Sequence, residues 1–186
     1  MSVRLIVPVA CAVFGLGLAA CGGGDDGGGG GDDLAIGQEA VVEHTQNTGG
    51  AGAPKTTIGV TVLKVRKGTQ DELNAGGFTL DPEEKKLTPY YVDARYANKG
   101  SAAVKDVPDV SLEDEDGNLI SGTVIISLGG PPFEKCPKND DNDLDAGESQ
   151  ESCTLFLVGE GKEPKRVSFL PYNPSEETEF VYWSVE

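Results

Sequence analysis

Along Thr88–Gly100, TPYYVDARYANKG, apolar side chains recur at every second residue. Tyr90, Val92, Ala94 and Tyr96 fall on one face and Asp93 and Arg95 on the other. A period of two is that of an extended chain with one face buried, so this stretch predicts a half-buried β-strand. In TTIGVTVLKVRKG, residues 56–68, Ile58, Val60 and Val62 alternate before the phase moves to Leu63 and Val65. A β-bulge, or burial on both sides, accounts for such a shift. Further apolar runs are Asp109–Leu112, Leu119–Leu128, Ser152–Val158, Arg166–Leu170 and Glu179–Val185, the last carrying Phe180, Val181, Tyr182 and Trp183. No stretch of the domain shows convincing helical periodicity.

Turn residues punctuate these runs: Glu115-Asp116-Gly117-Asn118, Gly129-Gly130-Pro131-Pro132, Gly159-Glu160-Gly161 and Asn173-Pro174. Thr45–Pro54, rich in Gly, Thr and Asn, reads as a loop. Asp116-Gly117 between Leu112 and Leu119 predicts a hairpin, because the pair tolerates the positive φ of a tight turn. Seven or eight short strands with such spacing predict an all-β fold, an antiparallel β-sandwich.

Five segments follow one another in a familiar order: IGQEAVV, VTVLKV, YYVDARYANKGSAAV, VSLEDEDGNLI and LDAGESQESCTLFLVGEGKEPKRVSF. From Ile36 to Val185 the chain resembles the immunoglobulin-like extracellular domain of bacterial lipoproteins, and is similar to the secreted immunoprotective antigens of actinobacteria. The shared features are a strand ending in an Asn-x-Gly turn, a Leu-x-Asp-x-Asp-Gly hairpin and a Gly-Glu-Ser turn before the penultimate strands. The resemblance implies an immunoglobulin-like sandwich in an actinobacterial or other Gram-positive envelope, and it names no ligand. The cysteine pair and the acidic loop between Phe133 and Glu148 depart from the pattern.

The N-terminus has a different character. A short positive start, MSVR, leads into an uncharged apolar run from Leu5 to Ala20 that contains Pro8. This is the layout of a signal peptide, and it falls short of the roughly 20 residues of a membrane span. Leu18-Ala19-Ala20-Cys21 resembles the lipobox of bacterial lipoproteins, which implies lipidation of Cys21 after removal of residues 1–20. The rival reading is ordinary secretion with a free or disulfide-bonded Cys21. Residues 22–33 are all Gly and Asp, a composition that buries no apolar area and serves as a flexible tether. The expected organisation is therefore signal peptide 1–20, lipidated cysteine and tether 21–33, and sandwich domain 34–186.

The net charge of −16 becomes one unit more negative when Arg4 leaves with the signal peptide. Such a surface excludes nucleic acid, whose recognition depends on clustered Lys and Arg, and it disfavours anionic lipid head groups. Most of that charge serves solvation. Of four cysteines, Cys11 leaves with the signal and Cys21 takes the lipid, so Cys136 and Cys153 remain to pair outside the cytoplasm. Closing that loop of about 18 residues would stabilise the fold by about 3 kcal/mol.

Catalytic chemistry finds little material. His44 is the only histidine, and at the margin of the first loop it reads as a solvated side chain. No GxSxG elbow, P-loop or dinucleotide fingerprint is present, so the chain reads as a non-enzyme. The single Met is the initiator, which argues against a soft copper site. Calcium is the sharpest chemical candidate: Asp141, Asp143 and Asp145 alternate in KNDDNDLDAGESQE and could converge on a hard cation. The match to an EF-hand loop breaks at Ala146 and Ser152, where glycine and a bidentate Glu belong. The competing account is a solvated acidic loop closed by the disulfide, and the acidic run Glu113–Asp116 reads as a hairpin tip. Tyr90, Tyr91, Tyr172, Tyr182 and Trp183 could mark an interface, with core packing the stronger use for Tyr182 and Trp183.

Together these readings describe an extracytoplasmic recognition domain held at the bacterial cell membrane by the lipid on Cys21. Its expected partner is another envelope protein or a secreted ligand, and no cofactor is called for apart from the calcium candidate. Two alternatives are a calcium-stabilised surface module built on residues 140–148, and an accessory or sensor domain for a membrane partner.

Overall fold

The structure, a computed structural model, describes residues 33–46, 54–123, 133–137, 143–172 and 178–185, all within one compact unit, Asp32–Glu186. Its strands are β1 (Leu34–Ala35), β2 (Glu39–Thr45), β3 (Lys55–Lys67), β4 (Thr88–Asn98), β5 (Ser111–Asp114), β6 (Leu119–Ile120), β7 (Ser149–Val158), β8 (Pro164–Phe169) and β9 (Val181–Ser184). One helix, α1 (Gln70–Ala75), and a 3₁₀ turn, Glu84–Lys86, lie between β3 and β4. A four-stranded sheet in the order β2-β3-β4-β7 packs on a five-stranded sheet in the order β1-β9-β8-β5-β6. This is an immunoglobulin-like β-sandwich.

The alternation in β4 is realised as expected. Tyr90, Val92, Ala94 and Tyr96 are buried between the sheets, where they meet Ile58, Val60 and Val62 of β3, Phe156 and Val158 of β7, and Leu112, Val167, Phe169 and Trp183 of the facing sheet. The phase shift in β3 is a bulge: Val62 pairs with Ala94 but Lys64 with Asp93, which leaves Leu63 as the extra residue. The Asp-Gly hairpin joins β5 to β6, with Gly117 at φ +83°. Asp114 Oδ1 accepts from the backbone N–H groups of Asp116 and Asn118, so the acidic run is a self-capped turn.

Among the described residues seven strands have four residues or more, in line with the expected number, two further strands have two residues each, and the short β1 pairs with β9 in parallel. Of the run Leu119–Leu128, Leu119–Ile120 forms β6, and residues 124–128 lie outside the described residues. Two expectations need correction. A short helix is present where none was read, because six residues are too few to display a 3.6-residue period. Its start was nevertheless legible as a capping box: Thr69 Oγ1 accepts from Glu72 N–H, and Glu72 Oε2 accepts from Thr69 N–H. His44 is not solvated. It lies in β2 at 2% exposure, and its Nδ1 accepts from the Tyr172 N–H at 3.2 Å.

Candidate functional site: a cleft closed by the disulfide

The outward face of the four-stranded sheet is not bare. At the end of β4, Tyr91 points away from the main core and is 1% exposed, covered by a second apolar cluster of Leu73, Phe133, Cys136 and Leu155 with Phe78, Leu80 and Leu157 at its margin. Two short segments supply this cover. The first is α1, which turns Leu73 inward. The second is the stretch 133–137, held against β7 by the disulfide Cys136–Cys153, with a Cα–Cα distance of 5.2 Å.

Polar contacts fix the stretch in place. Arg66 donates through Nε and Nη2 to Asp93, both at 2.9 Å, and through Nη2 to the Lys135 carbonyl at 3.0 Å. Its guanidinium stacks over Tyr91 at 5.1 Å, and the bond to Asp93 holds its pKa above the usual value. Lys135 reaches Glu72 of α1 at 3.2 Å. The Glu72 carboxyl is held below the usual range, first by the Thr69 N–H and then by Lys135. Burial, and then the nearby Glu72 carboxylate, push the Tyr91 phenol up to about 12.

Between α1 and this stretch lies a cleft of about 450 Å³ lined by Asp71, Glu72, Ala75, Gly76, Phe133, Glu134 and Lys135. Its wall needs a glycine at position 76, since a Cβ there would stand 2.5 Å from Phe133 Cδ2. Phe133 is set edge-on against Phe78 with centroids 5.0 Å apart. The lining thus combines an apolar base with three carboxylates and one ammonium, and no Ser, Thr, Cys or His is among its residues. This is a surface for binding an amphipathic group.

The sequence-predicted site residues scatter around this cleft. Cys136 and Cys153 are joined and form its support. Cys21 and Asp141 lie outside the described residues. The Asp143 carboxylate accepts from Lys105 Nζ and, at 3.2 Å, from the Asp106 N–H. The Asp145 N–H donates to Glu148 Oε2 at 2.8 Å, in the Gly-Glu-Ser turn. Among the described residues no three His, Cys, Asp or Glu side chains gather as a metal site. Of the aromatic candidates, Tyr90, Tyr91 and Trp183 are buried: Trp183 takes the core role that is its stronger reading, and the expectation of an exposed surface is corrected for Tyr90 and Tyr91. Tyr182 is half-buried under Arg166, 4.3 Å from its ring, and Tyr172 is exposed. Sequence reasoning missed the cleft, because α1 and Phe133 meet only after the disulfide brings the latter across the sheet.

No protein-family model matches this sequence, and no curated protein matches it. The fold does have solved counterparts. A secreted protein from Mycobacterium tuberculosis, MPT63, is similar with a TM-score of 0.52 at 15% identity, over 85% of this chain and 100% of that one. Weaker likenesses are to a candidate lipoprotein of Bacillus subtilis (TM-score 0.46, 15% identity, 76% of this chain and 38% of that one) and to a conserved hypothetical protein of Bacillus anthracis (TM-score 0.40, 18% identity, 76% and 96%). The first likeness establishes the sandwich; the other two add nothing to it. No described helix is long and apolar enough to cross a membrane.

Proposed function

We propose that this chain is a lipid-anchored, extracytoplasmic recognition module without catalytic activity of its own. Cys21 carries the acyl chains, the Gly/Asp segment up to Asp33 holds the domain off the membrane, and the sandwich presents a binding surface to another envelope protein or a secreted ligand. The observation that carries the reading is the cleft itself: an apolar base beneath a rim of three carboxylates and one ammonium, and a wall set by an oxidised cysteine pair. A structural disulfide of this kind belongs to an oxidising compartment, which agrees with the signal-like N-terminus. Durable attachment would follow from more than one acyl chain on Cys21.

Cell fractionation with mass analysis tests the anchor. The full chain should sediment with membranes and carry the mass of its acyl groups, and Cys21→Ala should lose both properties. A Cys21→Ala chain still membrane-bound and unchanged in mass would refute the anchor. Recognition is tested by photo-crosslinking in intact cells from Glu134, on the cleft rim, against Glu160, in the turn between β7 and β8, which does not line the cleft. Products specific to the rim position support the cleft, and equal patterns from both positions count against it.

A further inference from the structure

We propose that the cleft between α1 and residues 133–137 receives an arginine side chain of a partner protein, with its methylene stem on the apolar base and its guanidinium held by Asp71 and Glu134. The inference rests on the cleft being a recognition surface and names the chemistry that the surface takes.

The rim carries three carboxylates and one ammonium. Two of these four groups already answer each other: Glu72 Oε1 meets Lys135 Nζ at 3.2 Å, while Glu72 Oε2 accepts from the Thr69 N–H at 3.0 Å. Asp71 and Glu134 are different. Both are exposed, one on α1 and the other on the stretch 133–137, and among the described residues neither makes a hydrogen bond or an ion pair. The cleft therefore holds two uncompensated negative charges beside low-dielectric walls, which focus their field on whatever enters. An anion is repelled there, and a neutral apolar group leaves both charges unanswered.

The base selects a cation with an apolar body. Ala75 and Gly76 are exposed, and position 76 has no side chain to cap the Phe133 ring at Cδ2. Long basic side chains lay their stems on such a surface and keep the charged head at the rim. Arginine suits it better than lysine, because a guanidinium is more weakly hydrated than an ammonium and packs on aromatic rings. The same apolar cluster already holds one in this manner: Arg66 lies 5.1 Å over Tyr91 and donates to Asp93 at 2.9 Å.

The chain has no arginine to offer to a second copy of itself. Arg66, Arg95 and Arg166 are engaged with Asp93, Glu151 and Glu113 of their own domain, and Arg4 lies in the signal-like segment. The occupant comes from another protein. The net charge of −16 adds long-range attraction for a basic surface around that arginine.

The test titrates the full chain, in detergent micelles, with the capped peptide Ala-Leu-Arg-Leu-Ala, read by amide shifts of residues 70–76 and 133–137. The expected result is saturable binding that weakens about fivefold or more when citrulline, which keeps the shape and loses the charge, replaces the arginine. Lysine in its place should bind less well than arginine. Asp71→Asn with Glu134→Gln should weaken binding like citrulline, whereas Glu115→Gln with Glu160→Gln, which removes the same charge away from the cleft, should leave it nearly unchanged. Lys135→Gln should tighten binding, since it releases Glu72 from its ammonium. If a cleft variant lowers the melting midpoint, the citrulline comparison on the unaltered chain decides. Absence of binding, equal binding of the citrulline or lysine peptide, or equal losses in the two double variants overturns the proposal. Equally tight binding of butylguanidinium overturns the choice of a polypeptide, and a concentration-dependent dimer lost in the cleft variant assigns the cleft to a second copy. Crosslinks specific to Glu134 in a chain that ignores the arginine peptide would overturn this ligand alone and keep the recognition surface. Equal crosslinking from Glu134 and Glu160 would remove the reading on which it rests.

Discussion

Asn98 ends β4 at 1% exposure, and its side chain is bonded on both sides. Nδ2 donates to the carbonyls of Ala102 at 2.7 Å and Leu144 at 3.1 Å, while Oδ1 accepts from Gly100 N–H at 3.0 Å and from Thr56 Oγ1 at 3.3 Å. This one amide ties the Asn-x-Gly turn to the loop that precedes β7. A Cβ at Gly100 would lie 2.0 Å from Thr56 Oγ1, so the turn admits no side chain there. Asn98→Ala removes all four of these bonds from a buried position. It should lower stability by about 2–4 kcal/mol, read as a fall in the urea midpoint with the slope unchanged. His44 gives a second residue-scale prediction. Because its Nδ1 accepts from Tyr172, the proton sits on Nε2, and burial lowers the pKa of the ring. The unfolded chain binds a proton near pH 6.5, so below that pH it takes up more protons than the folded chain. Stability should therefore fall as pH drops from 7.5 toward the lower folded pKa. Urea midpoints between pH 7.5 and 5.5 should decline for the unaltered chain and lose that component in His44→Gln; equal slopes would show that His44 is not the titrating group.

At the scale of elements, the cover on the outward face of β4 is the least self-sufficient part of the fold. The six residues of α1 cannot hold a helix alone, and its stability comes from Leu73 packed on Tyr91, Phe133 and Leu155. The stretch 133–137 depends on Cys136–Cys153 in the same way. Cys136→Ala with Cys153→Ala should cost about 3 kcal/mol, and amide exchange should rise in residues 70–76 while that of β3 and β8 is retained. Uniform protection loss would mean that the sandwich does not stand apart from its cover. This division also explains what the sequence made legible. β4, the bulge at Leu63 and the Asp116-Gly117 hairpin are written in local periods and turn residues, so they could be read directly. The parallel pairing of Leu34 with Trp183 has no local signature, and neither has the burial of His44, whose cover comes from Tyr172, 128 residues away. The cleft needed a helix too short to show its period and a loop placed by a covalent bond. Its one local trace was the Thr69–Glu72 capping box.

Taken whole, the molecule is a sandwich whose apolar interior is closed by Trp183, with its Nε1–H donated to the Gln38 carbonyl at 2.9 Å. Its exterior is strongly acidic, and the question at this scale is whether the acids bind cations at a site or only repel one another. Asp143 decides the local part. Lys105, and then the Asp106 N–H, already satisfy its carboxylate and hold its pKa below the usual range. A calcium ion entering there would have to displace an ammonium group and recruit further oxygens. Screening of a net charge of −16, by contrast, needs no site and does not distinguish one divalent cation from another. Thermal melts of the full chain with chelator, calcium or magnesium should therefore show equal, modest rises for the two metals at matched ionic strength, and the same rises in Asp143→Ala. A specific site filled to 100 times its dissociation constant would instead add about 2.7 kcal/mol. A rise of that size with calcium alone, lost in Asp143→Ala, would make residues 140–148 a metal loop and Lys105 the group that calcium displaces.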